Sequence, residues 1–311
     1  MYLRQIEYII AVSELQSFGQ AAERCFITQS TLSTMIGRFE GEIGIKVFNR
    51  KTKPVTITKE GEQIIRQLKI VAKEVHNFKE VVKDLKGEIS GIFKIGLIPT
   101  LSPYLLPHFL HDFMDKLPAM QFEISEITTE KIVEKIAQRE LDVGIVSIPL
   151  QHPQLIEIPL FNEPFVLYDK ASRHLGDRFD INEIDFHRLW LLEEGHCLRT
   201  QVEAICGLHR RHNLNRQLEY KSGTIDTLLK YIKRNDGITL LPYLSTLEFS
   251  EEERKNLRQF NKPVPARTIG LLVHQHFVKK RILDILQMEI QDKILPLLST
   301  HHLTQRVISP I

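Results

Sequence analysis

Cysteine, tryptophan, net charge and long apolar runs are all scarce in this 311-residue sequence. Three cysteines, an odd number, do not make a secreted disulfide scaffold. No apolar stretch reaches the roughly 18 residues that a membrane helix needs. The opening "MYLRQIEYII" carries charge where a signal peptide needs an apolar core, so a cytoplasmic protein with no membrane contact is expected. A net charge of +2 is too small to mark the whole chain as a polyanion binder. No Cys/His spacing forms a zinc site, and "HQH" (274–276) and "HH" (301–302) read as solvated or core histidines. Neither a metal nor a cofactor is expected. The single tryptophan, Trp190, reads as a core residue on a strand.

What is present has the composition of a globular protein, with 42% hydrophobic and 26% charged residues. The length favours about two domains. Charge is unevenly spread: residues 1–89 hold 14 Lys and Arg against 11 Asp and Glu, and the remainder is slightly acidic. The pattern divides the chain at three points. Residues 1–57 alternate short helical runs with turns, 58–90 carry one long helical pattern, and 91–300 alternate β-rich and helical runs. Residues 301–311 read as a polar tail.

In the first region "IEYIIAVSELQ" has helical spacing, "SFGQAAERC" starts a second helix with Ser17 as N-cap, and a third begins after Thr28 and ends near Gly44. The short interval "CFIT" between the second and third fits a helix-turn-helix, and "VFNRKTKPVTIT" fits a wing. Such a motif puts the start of its second helix into a major groove. Gln29, Ser30, Thr31, Thr34 and Arg38 would then face DNA bases, and Arg50, Lys51 and Lys53 on the wing would meet phosphates or the minor groove. Any three-helix cluster shares the bare pattern, so a purely structural reading stands beside this one. Cys25, in the second helix, reads as a core thiol.

The middle helix carries Ile64, Leu68, Val71, Val75, Phe78, Val82 and Leu85 at alternating steps of four and three. An unbroken heptad seam wants a partner helix. Packing on its own domain is the competing reading. Dimerisation would suit twofold DNA sites.

Beyond residue 90, strands are expected at "IFKIGLIP", "QFEISEI", "DVGIVSI", "EPFVLYD", "RLWLLEE", "QLEYKS", "GITLLP" and "RTIGLLVH", with helices between or after them. The alternation implies an α/β domain with a mostly parallel sheet, which binds ligands at the carboxyl ends of its strands. "IPTLSPYLLP" sits at such an end, where Thr100 or Ser102 would cap the following helix.

These strings carry a family resemblance. "FGQAAERCFITQSTLSTMIGRFEGEIGIKVFNR" with "TKEG" resembles the DNA-binding domain of LysR-type transcriptional regulators, and the three-region layout agrees over essentially the whole chain. "GLIPTLSPYLLPH", "LLEEGHCLRTQVEAIC" and "GITLLP" look like the hydrogen-peroxide-sensing OxyR branch. The resemblance implies a winged helix-turn-helix, a dimerising linker helix, and a periplasmic-binding-protein-like domain of two α/β subdomains, about 91–163 with 267–300 and about 164–266. It implies a homodimer or homotetramer acting on double-stranded DNA with RNA polymerase, not an enzyme. It also implies that Cys197 reacts with hydrogen peroxide, that Cys206 is its disulfide partner, that Thr100, Thr129, His196 and Arg267 line the peroxide pocket, and that a thiol reductant resets the protein. The chain departs from the branch pattern at Thr200, usually acidic, and at Ser30, often proline.

The chemistry of the pair can also be argued from the residues. A reactive thiolate is favoured by a pKa below the ordinary cysteine value of about 8.5. Cys197 sits where a helix should begin, and His196 and Arg199 could add cationic help. If 197–206 is one helix, its ends lie about 13.5 Å apart along the axis and point to opposite faces. A disulfide needs Cα atoms about 4.4–6.8 Å apart, so closing one would unwind the segment. Three readings follow: a peroxide-responsive regulator; a LysR-type regulator of a small metabolite, with structural cysteines; and a thiol peroxidase, which would leave the reading head and heptad helix unexplained.

Overall fold

The computed structural model describes residues 2–170, 178–193, 197–207, 222–298 and 305–310. The chain divides into two compact units, Met1–Gly87 and Glu88–Ile311.

The first unit contains α1 (Leu3–Leu15), α2 (Phe18–Arg24), α3 (Gln29–Ile43), the wing strands β1 (Phe48–Asn49) and β2 (Thr56–Ile57), and α4 (Lys59–Leu85). The caps act as the sequence predicts. Ser17 accepts from the Gln20 N–H, Thr28 accepts from the Thr31 N–H, and Gly44 takes a left-handed φ of 69° that ends α3. Ile6, Ile9, Val12, Leu32, Ile36 and Phe39 form the core of this head. Gly61, in the "TKEG" string, lets α4 approach the wing: a Cβ there would collide with the Val47 carbonyl. Cys25 packs at the edge of this core, and burial raises its pKa.

The heptad seam is split. Leu68 is buried in the head core, with Ile64 and Val71 packed against it, whereas Phe78 is 69% and Leu85 82% exposed. Packing on its own domain therefore accounts for the first half of the seam, while in the second half Val75 and Val82 are half-buried and Phe78 and Leu85 exposed.

The second unit contains β3 (Gly91–Leu97), α5 (Ser102–Asp115), β4 (Met120–Glu126), α6 (Thr129–Ala137), β5 (Val143–Ile148), β6 (Leu155–Asp169), β7 (Arg178–Phe179) and α7 (Cys197–Cys206). These are followed by α8 (Ile225–Ile232), β8 (Ile238–Pro242), α9 (Glu251–Arg254), β9 (Leu257–Phe260), β10 (Val264–His274), α10 (Lys280–Leu298) and β11 (Gln305–Val307). Two hydrophobic cores share this unit, one around Phe93, Ile95, Phe109, Ile145 and Leu286, the other around Phe165, Tyr168, Leu229 and Leu240. The α/β expectation holds, but the sheet is mixed rather than mostly parallel. β3 pairs β4 and β5 in parallel, while the long strands β6 and β10 pair antiparallel over Leu155–Pro164 and Ala266–His274. These two strands run from one core to the other, and crossing in opposite directions makes them antiparallel.

Two local expectations change, and a third falls largely outside the described residues. "RLWLLEE" forms isolated bridges, Leu189 to Ile238 and Leu192 to Ser222, because a 3-10 turn at Phe186–Arg188 keeps the segment from extending into a ladder. Trp190 is half-buried against the second core rather than carried on a strand, edge-on against Tyr231 with ring centroids 4.8 Å apart. "QLEYKS" lies, apart from Ser222, outside the described residues. The polar tail is partly structured: β11 pairs in parallel with Val264–Ala266, and Ile308 is buried with its N–H donating to the Ala266 carbonyl at 2.8 Å. An apolar side chain with a free sheet edge to occupy explains the docking. Among the described residues no helix is long and apolar enough to cross a membrane.

A buried thiol pocket and a candidate DNA-reading head

Cys197 is the first residue of α7, so its sulfur lies at the positive end of a helix. It is only 8% exposed and belongs to the first hydrophobic core, while Cys206, at the other end of the same helix, belongs to the second. Neither is in a disulfide. The helix is continuous between them, so the geometric argument for unwinding applies to this structure.

Two of the expected pocket residues stand at the carboxyl ends of adjacent parallel strands. Thr100 follows β3, and Thr129 follows β4 as the first residue of α6. Thr100 does not cap α5, whose N-cap is Leu101 with no side-chain bond. Its hydroxyl instead accepts from Arg267 Nη1 at 3.1 Å, and its carbonyl accepts from Arg267 Nη2 at 3.1 Å. The Thr129 hydroxyl is buried without a fully formed hydrogen bond, yet it faces the Cys197 sulfur closely enough to favour the thiolate. Arg267 on β10 is fully buried. His196 lies outside the described residues.

The thiol is not tuned as the sequence suggested. Burial raises the Cys197 pKa above its ordinary value, against the lowering influences of Arg267, Thr129 and the N–H groups of Cys197 and Leu198. Desolvation outweighs four groups that favour the anion. Arg199 bonds Glu203 at 2.8 Å and the Leu192 carbonyl at 3.2 Å, and the cation that most favours the Cys197 thiolate is Arg267.

Two functional neighbours were missed from sequence. Glu163 on β6 is fully buried, accepting from Arg267 Nε at 2.8 Å and from the Leu244 N–H at 2.8 Å. Gln201, one turn along α7 from Cys197, donates to Ser147 Oγ and to the Ile308 carbonyl, both at 3.0 Å. It thereby ties the middle of α7 to β5 and to the segment after β11. Nothing local in the sequence marks either residue. Only the strand register, which sets Glu163 opposite Arg267, brings the first pair together.

On the first unit, Gln29, Ser30, Thr31, Thr34 and Arg38 are exposed along α3, and Lys51 and Lys53 are exposed on the wing. Arg50 is already engaged, donating to Ser33 Oγ at 2.8 Å and Glu40 Oε2 at 3.2 Å, with its guanidinium 5.0 Å from the Phe18 ring centroid. Glu40, missed from sequence, is buried and also accepts the Val47 and Phe48 N–H groups, which fixes the wing to α3. Among the described residues no group of three His, Cys, Asp or Glu side chains is placed to hold a metal ion.

Comparison with known proteins gives two family matches. Residues 3–62 match the bacterial regulatory helix-turn-helix of the lysR family, and residues 86–286 match the LysR substrate binding domain. The chain is 31% identical over 274 residues to the hydrogen peroxide-inducible genes activator of Pectobacterium carotovorum subsp. carotovorum, covering 88% of this chain and 90% of that protein. It is also 31% identical to the DNA-binding transcriptional dual regulator OxyR of Escherichia coli K12, covering 88% and 89%. Among solved structures, a full-length cysteine-to-aspartate variant of OxyR from Pseudomonas aeruginosa superposes with a TM-score of 0.72 at 29% identity, covering 94% of this chain and 95% of that one.

Proposed function

The chain belongs to the LysR-type transcriptional regulators, and from that premise we propose that it senses hydrogen peroxide through Cys197 and passes the signal to DNA as a cytoplasmic homodimer or homotetramer. The observation that carries this reading is the setting of Cys197: a thiol at a helix N-terminus, beside a buried arginine and an unsatisfied threonine hydroxyl.

The Cys197 sulfur, as thiolate, attacks one peroxide oxygen; the O–O bond breaks, and the leaving hydroxide takes a proton to become water. Thr129 and Arg267 would donate to the two oxygens, a role supported by the buried Thr129 hydroxyl and by the favourable influence of both groups on the Cys197 thiolate. Burial raises the Cys197 pKa, and the proton released when the thiolate forms suffices for the departing hydroxide. Cys206 then attacks the Cys197 sulfenic acid, the S–O bond breaks, and a second water leaves. Two thiols and one peroxide give one disulfide and two waters, and a dithiol reductant reverses the change.

Disulfide closure requires α7 to unwind, which pulls Gln201 from Ser147 and from the Ile308 carbonyl and draws one end of the helix out of its core. That rearrangement is the output, changing the contacts between copies and hence the spacing of the DNA-reading heads. Gln29, Ser30, Thr31, Thr34 and Arg38 supply base contacts, Lys51, Lys53 and the free edge of Arg50 supply phosphate contacts, and the exposed half of the heptad seam supplies the dimer contact. A DNA-bound dimer or tetramer would then engage RNA polymerase.

Reduced protein treated with stoichiometric peroxide should form one intramolecular Cys197–Cys206 disulfide by mass spectrometry. In parallel, the amides of 198–205 should lose hydrogen-exchange protection. Cys197→Ser should abolish both. An unchanged Cys197 would remove the proposal and leave a regulator that answers to a small metabolite.

A further inference from the structure

Taking the Cys197 reading as its premise, the structure carries one assignment further. We propose that Glu163 is the positioning residue of the thiol pocket, acting on Cys197 only through Arg267.

β6 and β10 run antiparallel with Glu163 directly opposite Arg267, so both side chains leave the sheet on one face. Both are fully buried. A buried guanidinium has five N–H donors and one rigid plane, so whatever accepts from one edge fixes where the other edge points. Here Glu163 accepts from Nε, and Nη1 and Nη2 are thereby turned to the hydroxyl and carbonyl of Thr100. Glu163 is itself held from its other oxygen by the Leu244 N–H. The charged and hydrogen-bonding groups felt most at the sulfur are Arg267, Thr129 and two backbone N–H groups, so the carboxylate's route to the thiol runs through Arg267.

The location adds weight. Phe161 lies in the first hydrophobic core and Phe165 in the second, so Glu163 sits where β6 passes between them. One carboxylate therefore joins the passing strand β6, its neighbour β10 and the turn after β8. Among the described residues, the ionisable groups nearby include Tyr104 on α5, whose hydroxyl donates to Asp226 at 2.9 Å, and Glu126 at the end of β4. Neither touches Arg267 through a hydrogen bond, so the guanidinium has Glu163 as its acidic partner.

The test measures Cys197 alone, in a Cys25→Ser/Cys206→Ser background of the full chain. Rates of alkylation by iodoacetamide and of oxidation by hydrogen peroxide are followed against pH. Glu163→Gln frees the guanidinium to turn away, and both rates at neutral pH should fall about tenfold or more, since a misplacement near 1 Å can cost about a hundredfold. The midpoint of the alkylation profile should move to higher pH. Glu163→Asp, which keeps the charge and shortens the reach, should move both the same way by less, and it carries the test if Glu163→Gln does not fold. Arg267→Met should reproduce the effect, and Glu163→Gln/Arg267→Met should be no slower than Arg267→Met alone.

An unmoved midpoint in both Glu163 variants would reduce the residue to a purely structural role and overturn the proposal. A midpoint that falls would mean Glu163 only neutralises Arg267, and effects that multiply in the double variant would mean the two act independently; either overturns it as well. Alkylation separates this inference from its premise. If the profiles shift as described while peroxide oxidises no variant, the positioning role stands and the peroxide reading fails.

Discussion

At the scale of the residue, the pocket is governed by a contest between burial and nearby charge. Glu163 and Arg267 are both wholly buried, and removing one strands the other. Arg267→Met alone should cost about 3–5 kcal/mol of stability, and Glu163→Gln/Arg267→Met should recover most of it. Urea denaturation of the four proteins in the cycle checks both numbers. Cys197 makes a second prediction, with a definite sign. Its folded pKa is raised, chiefly by burial, so the folded state holds the thiol proton more tightly than the unfolded chain does. The stabilisation is complete below the ordinary thiol pKa and is lost as pH rises through the higher folded value. Between neutral pH and about pH 10, the melting temperature of the reduced protein should fall further than that of Cys197→Ala.

At the scale of the element, helix α7 spans two cores, with Cys197 in one and Cys206 in the other. Its regular hydrogen bonds and the Gln201 clamp hold the reduced form closed, so a disulfide exists only at their expense. In the first unit, α4 approaches the wing closely at Gly61. Gly61→Ala should destabilise the head by about 1–3 kcal/mol, because the obstacle is the Val47 backbone rather than a movable side chain. Thermal denaturation of residues 1–87 within the full chain, followed by proteolysis of the head, would register the loss.

At the scale of the whole molecule, the two halves of α4 divide their labour. Leu68 and its neighbours belong to the head, and Phe78 and Leu85 are exposed among the described residues. Phe78→Lys/Leu85→Lys should weaken self-association by at least tenfold in sedimentation velocity while leaving the head's melting temperature unchanged. A head destabilised by these substitutions would mean that the outer half of the seam also packs at home. Weaker self-association should also lower affinity for a two-site DNA duplex more than for a single half-site.

The sequence by itself determined the helices of the head, their Ser17, Thr28 and Gly44 termini, the wing, the heptad spacing and the nine-residue separation of the cysteines. All of these are set by short-range periodicity, capping and turn chemistry. Tertiary structure alone decided the rest. Glu163 and Arg267 stand 104 residues apart and meet only through strand register. Ile308 looked like part of a tail because the edge it pairs with comes from β10. The raised pKa of Cys197 reversed the local expectation because desolvation is summed over every element around the sulfur, whereas the helix terminus that lowers it is written in the adjacent residues. Local interactions are legible in order along the chain; burial and cross-strand pairing are properties of the folded whole.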